Sequence, residues 1–156
     1  VPTLCRLHRV HHPDLDFDVT TGIRFHPLEI MLSILIKCAA VAAVGAPAVA
    51  VLVFEVLLNA TSVFNHANAS IPAGVERWLR WLVVTPDMHR VHHSIRYDES
   101  SSNFGFSLPW WDRLFGTYKA EPAAGHEAVL IGVDAFRDPG EYRLSRLLLR
   151  LFRGDA

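Results

Sequence analysis

The pattern H-R-V-H-H occurs twice in the chain, at His8–His12 and at His89–His93, about eighty residues apart. The two copies hold six of the nine histidines. On an α-helix a residue three positions on lies about 60° to one side and a residue four positions on about 40° to the other. The spacing therefore predicts that the three imidazoles of each copy share one helical face. Two such faces turned towards each other offer six ring nitrogens, from His8, His11, His12, His89, His92 and His93. Imidazole suits zinc, iron, copper and nickel. Six nitrogens exceed the four that a tetrahedral structural zinc uses, so a two-metal centre is expected. One copy alone would be read more simply as core or surface histidines; two copies favour metal.

The segment between the copies must bring them together. From Leu28 to Phe64 the chain is almost wholly apolar, and after Glu29 at its start Lys37 and Glu55 are its only charges. Gly45 and Pro47 interrupt it, since proline inside a helix removes a hydrogen bond and clashes with the preceding turn. Two helices of about 17 residues are predicted, near the lower limit for crossing a bilayer. A hairpin buried inside a soluble protein is the competing expectation. Lys37 and Glu55 each lie nine residues from Ala46, so an antiparallel pair places opposite charges at one depth, where they neutralise each other. Counting twenty residues outward reaches His26 and His66, so both hairpin ends return to one side.

His66, in "FNHANAS", is expected as a seventh ligand. His26, directly before Pro27, is expected to start the helix or support a ligand. His126, beside Glu127 in a loop, is expected to be solvated and without a role. Arg6, Arg9 and Arg24 precede the hairpin and Arg77, Arg80 and Arg90 follow it, while its turn is uncharged. By the positive-inside rule both termini are expected in the cytoplasm, the chain being integral to a bacterial inner membrane or the endoplasmic reticulum.

At 156 residues and a net charge of −1, the chain is expected to be a single unit with no nucleic-acid partner. Cys5 and Cys38 are expected to be reduced thiols. Trp78, Leu79, Trp81 and Leu82 alternate with Glu76, Arg77 and Arg80, which suits a helix lying at the membrane surface. Thr85 and Pro86 predict a helix start. "DESSSN" reads as a loop, "LPWWDRLFGTY" as an aromatic segment closed by Gly116, and residues 120–140 as irregular. "EYRLSRLLLRLF" predicts a basic amphipathic helix, a second surface anchor.

The pieces "LHRVHHPD", "TTGIRFHPLE", "FNHANASIP", "TPDMHRVHHS" and "NFGFSLPWWDRLFGTY" together resemble the fatty acid hydroxylase and sterol desaturase superfamily over Leu7–Tyr118. The resemblance implies an all-α integral membrane helical hairpin whose cytoplasmic histidine-box helices form a di-metal site. Residues 1–120 would be that membrane domain, with its hairpin over 28–64, and 121–156 a tail. It implies a non-haem di-iron enzyme that uses dioxygen, with electrons from an external NAD(P)H-linked donor such as a cytochrome b5-like or ferredoxin-like protein. The substrate would be a fatty acid or sterol-like lipid, hydroxylated or desaturated. His8, His11 and His12 would form the middle box, His89, His92 and His93 the last, and His66 the isolated ligand. His11, His12, His92 and His93 would be catalytic. The family's earlier H-x(3,4)-H box does not fit in the seven residues before His8, so the chain is expected to be the C-terminal part of a longer protein with an incomplete metal site.

Asp112, Asn68, Asn103 and Glu29 are candidates to hold imidazole N–H groups, with turn or cap roles as the alternative. Zinc in place of iron, in a membrane metallohydrolase, is a competing reading. It is weakened because Arg9-Val10 and Arg90-Val91 stand where a hydrolase would carry a glutamate. A non-catalytic metal-binding membrane protein is the third.

Overall fold

The hairpin forms where the apolar run predicts it. The computed structural model describes residues 7–134, 137–138 and 143–149, which include no strand, only an isolated bridge between Ser94 and Ile131. Helix α1 (Pro27–Val44) and helix α2 (Ala48–Asn65) are each 18 residues long. His26 caps α1, its Nδ1 accepting from the Leu28 N–H at 3.1 Å, and Pro27 occupies the first helical position, where no N–H is needed. Gly45 ends the helix in the left-handed region, at φ 67°, which a side chain would strain. The Val41 carbonyl then accepts from both Gly45 and Ala46, and Pro47 opens α2.

Both helices are long and apolar enough to cross a membrane. None of α1 is buried within the protein, and α2 buries only Ser62 and Asn65. A core helix of a soluble protein would show the reverse, so the buried-hairpin alternative fails. This exposed apolar surface is the kind a bilayer covers. Cys38 lies on it as a free thiol, while Cys5 is outside the described residues. Lys37 Nζ donates to Glu55 Oε1 at 2.6 Å, at matched depth in the antiparallel pair. Lys37→Met leaves an orphaned carboxylate and should lower stability by about 3 kcal/mol, with Lys37→Met/Glu55→Leu recovering most of it. Denaturation midpoints in detergent micelles check this; equal losses in the single and double variants would remove the pairing.

The remaining helices are short and gather at the hairpin's open end: α3 (Ala73–Leu79), α4 (Pro86–His92), α5 (Tyr97–Ser100), α6 (Trp110–Phe115) and α7 (Leu144–Leu149). Two expectations need correction. Glu76 is not on the wet face of a surface helix but buried, where Oε1 accepts from Arg80 at 2.6 Å and from the Thr85 hydroxyl at 2.7 Å; Val75, Trp78, Trp81 and Leu82 are the exposed apolar residues there. "DESSSN" is not a plain loop. It begins inside α5, and Glu99 is fully buried, accepting from the Ser94 hydroxyl at 2.5 Å and the Ala123 N–H at 2.7 Å. The C-terminal helix, expected as a surface anchor, also packs on the protein itself. Leu147 packs on Val10 beside Val133, and the Leu148 carbonyl accepts from His26 Nε2 at 3.2 Å; the helix's expected ends lie outside the described residues.

Candidate metal centre

Each histidine reaches the centre from a different local structure. Thr85 caps α4, and this seven-residue helix carries His89 and His92 and ends on His93. His66 is the C-cap of α2. The first H-R-V-H-H copy departs from the single helical face that was expected. Leu7 and His8 are helical, but His11 bonds back to His8 and His12 to Arg9, three residues each, so the copy finishes in tight turns. A 3-10 turn, Thr21–Ile23, packs under His66. A Cβ on Gly22 would lie 2.9 Å from His66 Nδ1, so only glycine permits this approach.

The structure brings all seven histidines together as two adjoining groups whose ring nitrogens lie within 4.8 Å of one another in each. The first comprises His11, His66, His89 and His93, all buried; the second comprises His8, His12 and His92, with His8 half-buried. In the first, Nε2 atoms approach at 3.0 Å (His11–His66), 2.9 Å (His66–His89) and 3.2 Å (His89–His93). Tetrahedral ligands about 2.0–2.1 Å from a metal stand about 3.3 Å apart, close to this spacing. The groups adjoin through His12 and His93, whose rings stack at 4.2 Å.

Ring tautomers show why a cation fits. His11 Nδ1 lies 3.1 Å from the Arg24 carbonyl and His66 Nδ1 lies 2.7 Å from the Ser62 carbonyl. A carbonyl only accepts, so each ring carries its proton on Nδ1 and turns a bare Nε2 lone pair to the centre. Two lone pairs then face each other across 3.0 Å, which is repulsive unless a cation lies between them. His8 and His92 are fixed in the same tautomer by Glu29 Oε1 and by the Ser102 carbonyl, each at 2.9 Å. Burial, reinforced by neighbouring imidazoles, holds His11 down to about 2 and His92 down to about 4. The same causes push His12, His89 and His93 well below the usual histidine range. Neutral rings are the form a metal needs.

Of the four candidate supports, only Glu29 touches an imidazole. Asn68 accepts from Arg90 at 3.1 Å. Asn103, at φ 48°, ties α4 to the following segment by donating to the Met88 and Lys119 carbonyls. Asp112 is buried and accepts from the Phe104 N–H, the Gly105 N–H and the Thr117 hydroxyl at 2.6–2.8 Å. Asp112→Ala orphans these donors and should cost about 2–5 kcal/mol, a loss that denaturation midpoints would register. His26 stays outside the cluster as a helix cap. His126 is partly buried rather than solvated, 3.9 Å from Asp87.

Several contacts had no sequence signal. The carbonyls of Arg24, Ser62 and Ser102 are backbone groups, which residue type does not mark. Phe25 stacks flat on His11 at 4.6 Å, and Phe17 meets His93 at 5.2 Å, both shielding the rings from water. No carboxylate belongs to either nitrogen group among the described residues.

Comparison with known proteins converges on the same segment. The family model described as fatty acid hydroxylase matches residues 1–117. An ornithine lipid hydroxylase, OlsE, of Rhizobium tropici is 29% identical over 120 residues, covering 77% of this chain and 35% of that protein. Alkylglycerol monooxygenases of Xenopus tropicalis and Homo sapiens are each 28% identical, covering 81% of this chain and 26% of their own length. The chain thus spans between a quarter and about a third of the curated relatives it matches. No solved structure matches.

Proposed function

The chain belongs to the fatty acid hydroxylase family, and on that premise we propose that it carries the histidine core of a membrane lipid oxygenase. The observation that supports this most is the pair of adjoining nitrogen groups, one of four and one of three, at the open end of an apolar hairpin. When bound, two iron ions would supply the redox chemistry with dioxygen that unactivated C–H bonds require and side chains lack. His11, His66, His89 and His93 would hold one ion firmly. His8, His12 and His92 would hold the second more loosely, because they are three and His8 is half-exposed. His11, His12, His92 and His93 stand where the groups meet and are the proposed catalytic ligands.

The chain's own contribution is positional. Backbone carbonyls and Glu29 keep protons on Nδ1, so Nε2 faces inward. Phe17 and Phe25 exclude water from the rings. Residues 1–120 form the metal-binding domain in this reading and 121–156 its tail, from which Val133 and Leu147 pack on Val10. The substrate is a lipid, electrons come from a separate NAD(P)H-linked carrier, and the histidine end faces the cytoplasm.

The test loads the complete natural protein, in lipid nanodiscs, with iron or zinc and supplies reductant and a panel of membrane lipids. Iron loading should give lipid-dependent oxygen consumption and a hydroxylated or desaturated product; zinc loading should give none. Lipid hydrolysis by the zinc form, with no oxygen uptake by the iron form, would favour a metallohydrolase instead.

A further inference from the structure

A cleft of about 520 Å³ opens between α2 and α6, within the usual size range of ligand sites, about 300–1,000 Å³. Its wall is apolar: Leu58 comes from the membrane helix, and Phe104, Phe106, Leu108, Trp111 and Phe115 from the aromatic segment. We propose that this cleft seats the hydrocarbon chain of the lipid substrate, with Phe104 as the partition that sets how far the chain runs beside the histidine cluster. The proposal rests on the oxygenase reading above and names where its substrate lies.

Three observations commit the cleft to a lipid chain. First, it is continuous with the bilayer-facing surface, because Leu58 stands one turn from Phe54 on the same face of α2, and Phe54 is half exposed. A chain can therefore enter sideways without crossing water. Second, its outer rim, Trp111 and Phe115, is more than half exposed, 57% and 72%, an aromatic edge of the kind found at the membrane interface. Third, one wall reaches the metal ligands, since the Phe104 ring, itself 60% exposed, lines the cleft and meets the His92 ring edge-on at 5.6 Å.

The cleft is also held in shape. Asp112 fixes the backbone of Phe104 and Gly105, the Thr61 and Ser107 hydroxyls pair at 2.9 Å, and Asn65 donates to the Phe106 carbonyl. The loop that carries Phe104 is thereby tied to the membrane helix that ends in His66. A chain lying against Leu58 and stopped by Phe104 would present its carbons to the His92 side of the cluster.

The experiment uses the complete protein reconstituted in phosphatidylcholine vesicles with a palmitic acid probe carrying a diazirine near its methyl end. Labelling of residues 104–117 should saturate and be displaced by excess unlabelled palmitate, whereas labelling of α1, residues 28–44, should rise linearly with probe. Leu58→Trp and, on a loop rather than the membrane helix, Leu108→Trp fill the cleft and should cut the saturable labelling about tenfold. Bound metal per chain should stay unchanged in both, which shows that they fold. Phe104→Ala should move the oxidised carbon along the chain. Saturable labelling elsewhere, or labelling of 104–117 that unlabelled palmitate does not displace, overturns the proposal even if the protein oxidises lipids. Saturable labelling here, in a protein that never consumes oxygen, would keep the cleft and sink the oxygenase reading.

Discussion

His11→Ala or His92→Ala, in the complete protein, is expected to abolish lipid oxidation while leaving membrane insertion intact. Each removes a nitrogen where the two groups adjoin, and each side chain is held by a backbone carbonyl that no substitute ring would reuse. Losing a residue that merely supports a metal ligand costs about 10–100-fold in activity or affinity. Losing the ligand should cost more, at least about 1,000-fold, with roughly half of the bound metal lost. Insertion depends on the apolar hairpin, whose helices bury almost nothing against the histidine segment and so form without metal. Turnover with the preferred lipid, metal analysis and protease protection of the hairpin measure the three effects separately. Turnover within tenfold of the parent in either variant would withdraw its catalytic assignment. Glu29→Gln should fall between: it keeps the shape but loses the charge on His8 Nδ1, weakening the three-nitrogen group selectively.

Acid is expected to unfold the metal-free protein well before it would damage an ordinary helical domain. In the unfolded chain these imidazoles take up protons near pH 6.5. In the folded chain burial, helped by the neighbouring rings, holds His92 down to about 4 and His11 to about 2. Above pH 6.5 both states carry neutral rings, and this contribution to stability is fully present. Below it the unfolded chain binds protons that the folded one refuses. Stability then falls by up to about 1.4 kcal/mol per pH unit for each such histidine, until its folded pKa is reached. The lowered His12, His89 and His93 add to the slope. Melting temperatures in detergent should therefore be level above pH 6.5 and drop steeply below it, and bound metal should shift the drop to lower pH. A level profile down to about pH 5 would mean that the rings are more accessible to water than their packing implies.

Local rules were enough for the parts of this protein whose cause is local. Gly45 and Pro47 break the apolar run by backbone conformation alone, and equal spacing from Ala46 pairs Lys37 with Glu55. His26 before Pro27 and Thr85 before Pro86 start helices through neighbouring groups only. The repeated H-x-x-H-H spacing named six of the seven converging rings, and the end of the apolar run named His66. Tertiary structure decided what depends on distant segments meeting. It divided seven similar rings into groups of four and three, a choice that spacing within either copy leaves open. It also chose Glu29 over Asn68, Asn103 and Asp112 as the imidazole's partner, because the first turn of α1 meets His8 while the other three are engaged by Arg90, by backbone groups and by Thr117. Glu76 and Glu99 look like solvated charges in sequence, yet each is buried where Arg80 and Thr85, or Ser94 and Ala123, satisfy it. Arg80 stands one helical turn from Glu76, but Thr85 lies nine residues from it and Ala123 lies 24 from Glu99, beyond the reach of any helical or strand period. A periodic pattern records which face a residue takes on its own element; what waits opposite that face is set by packing.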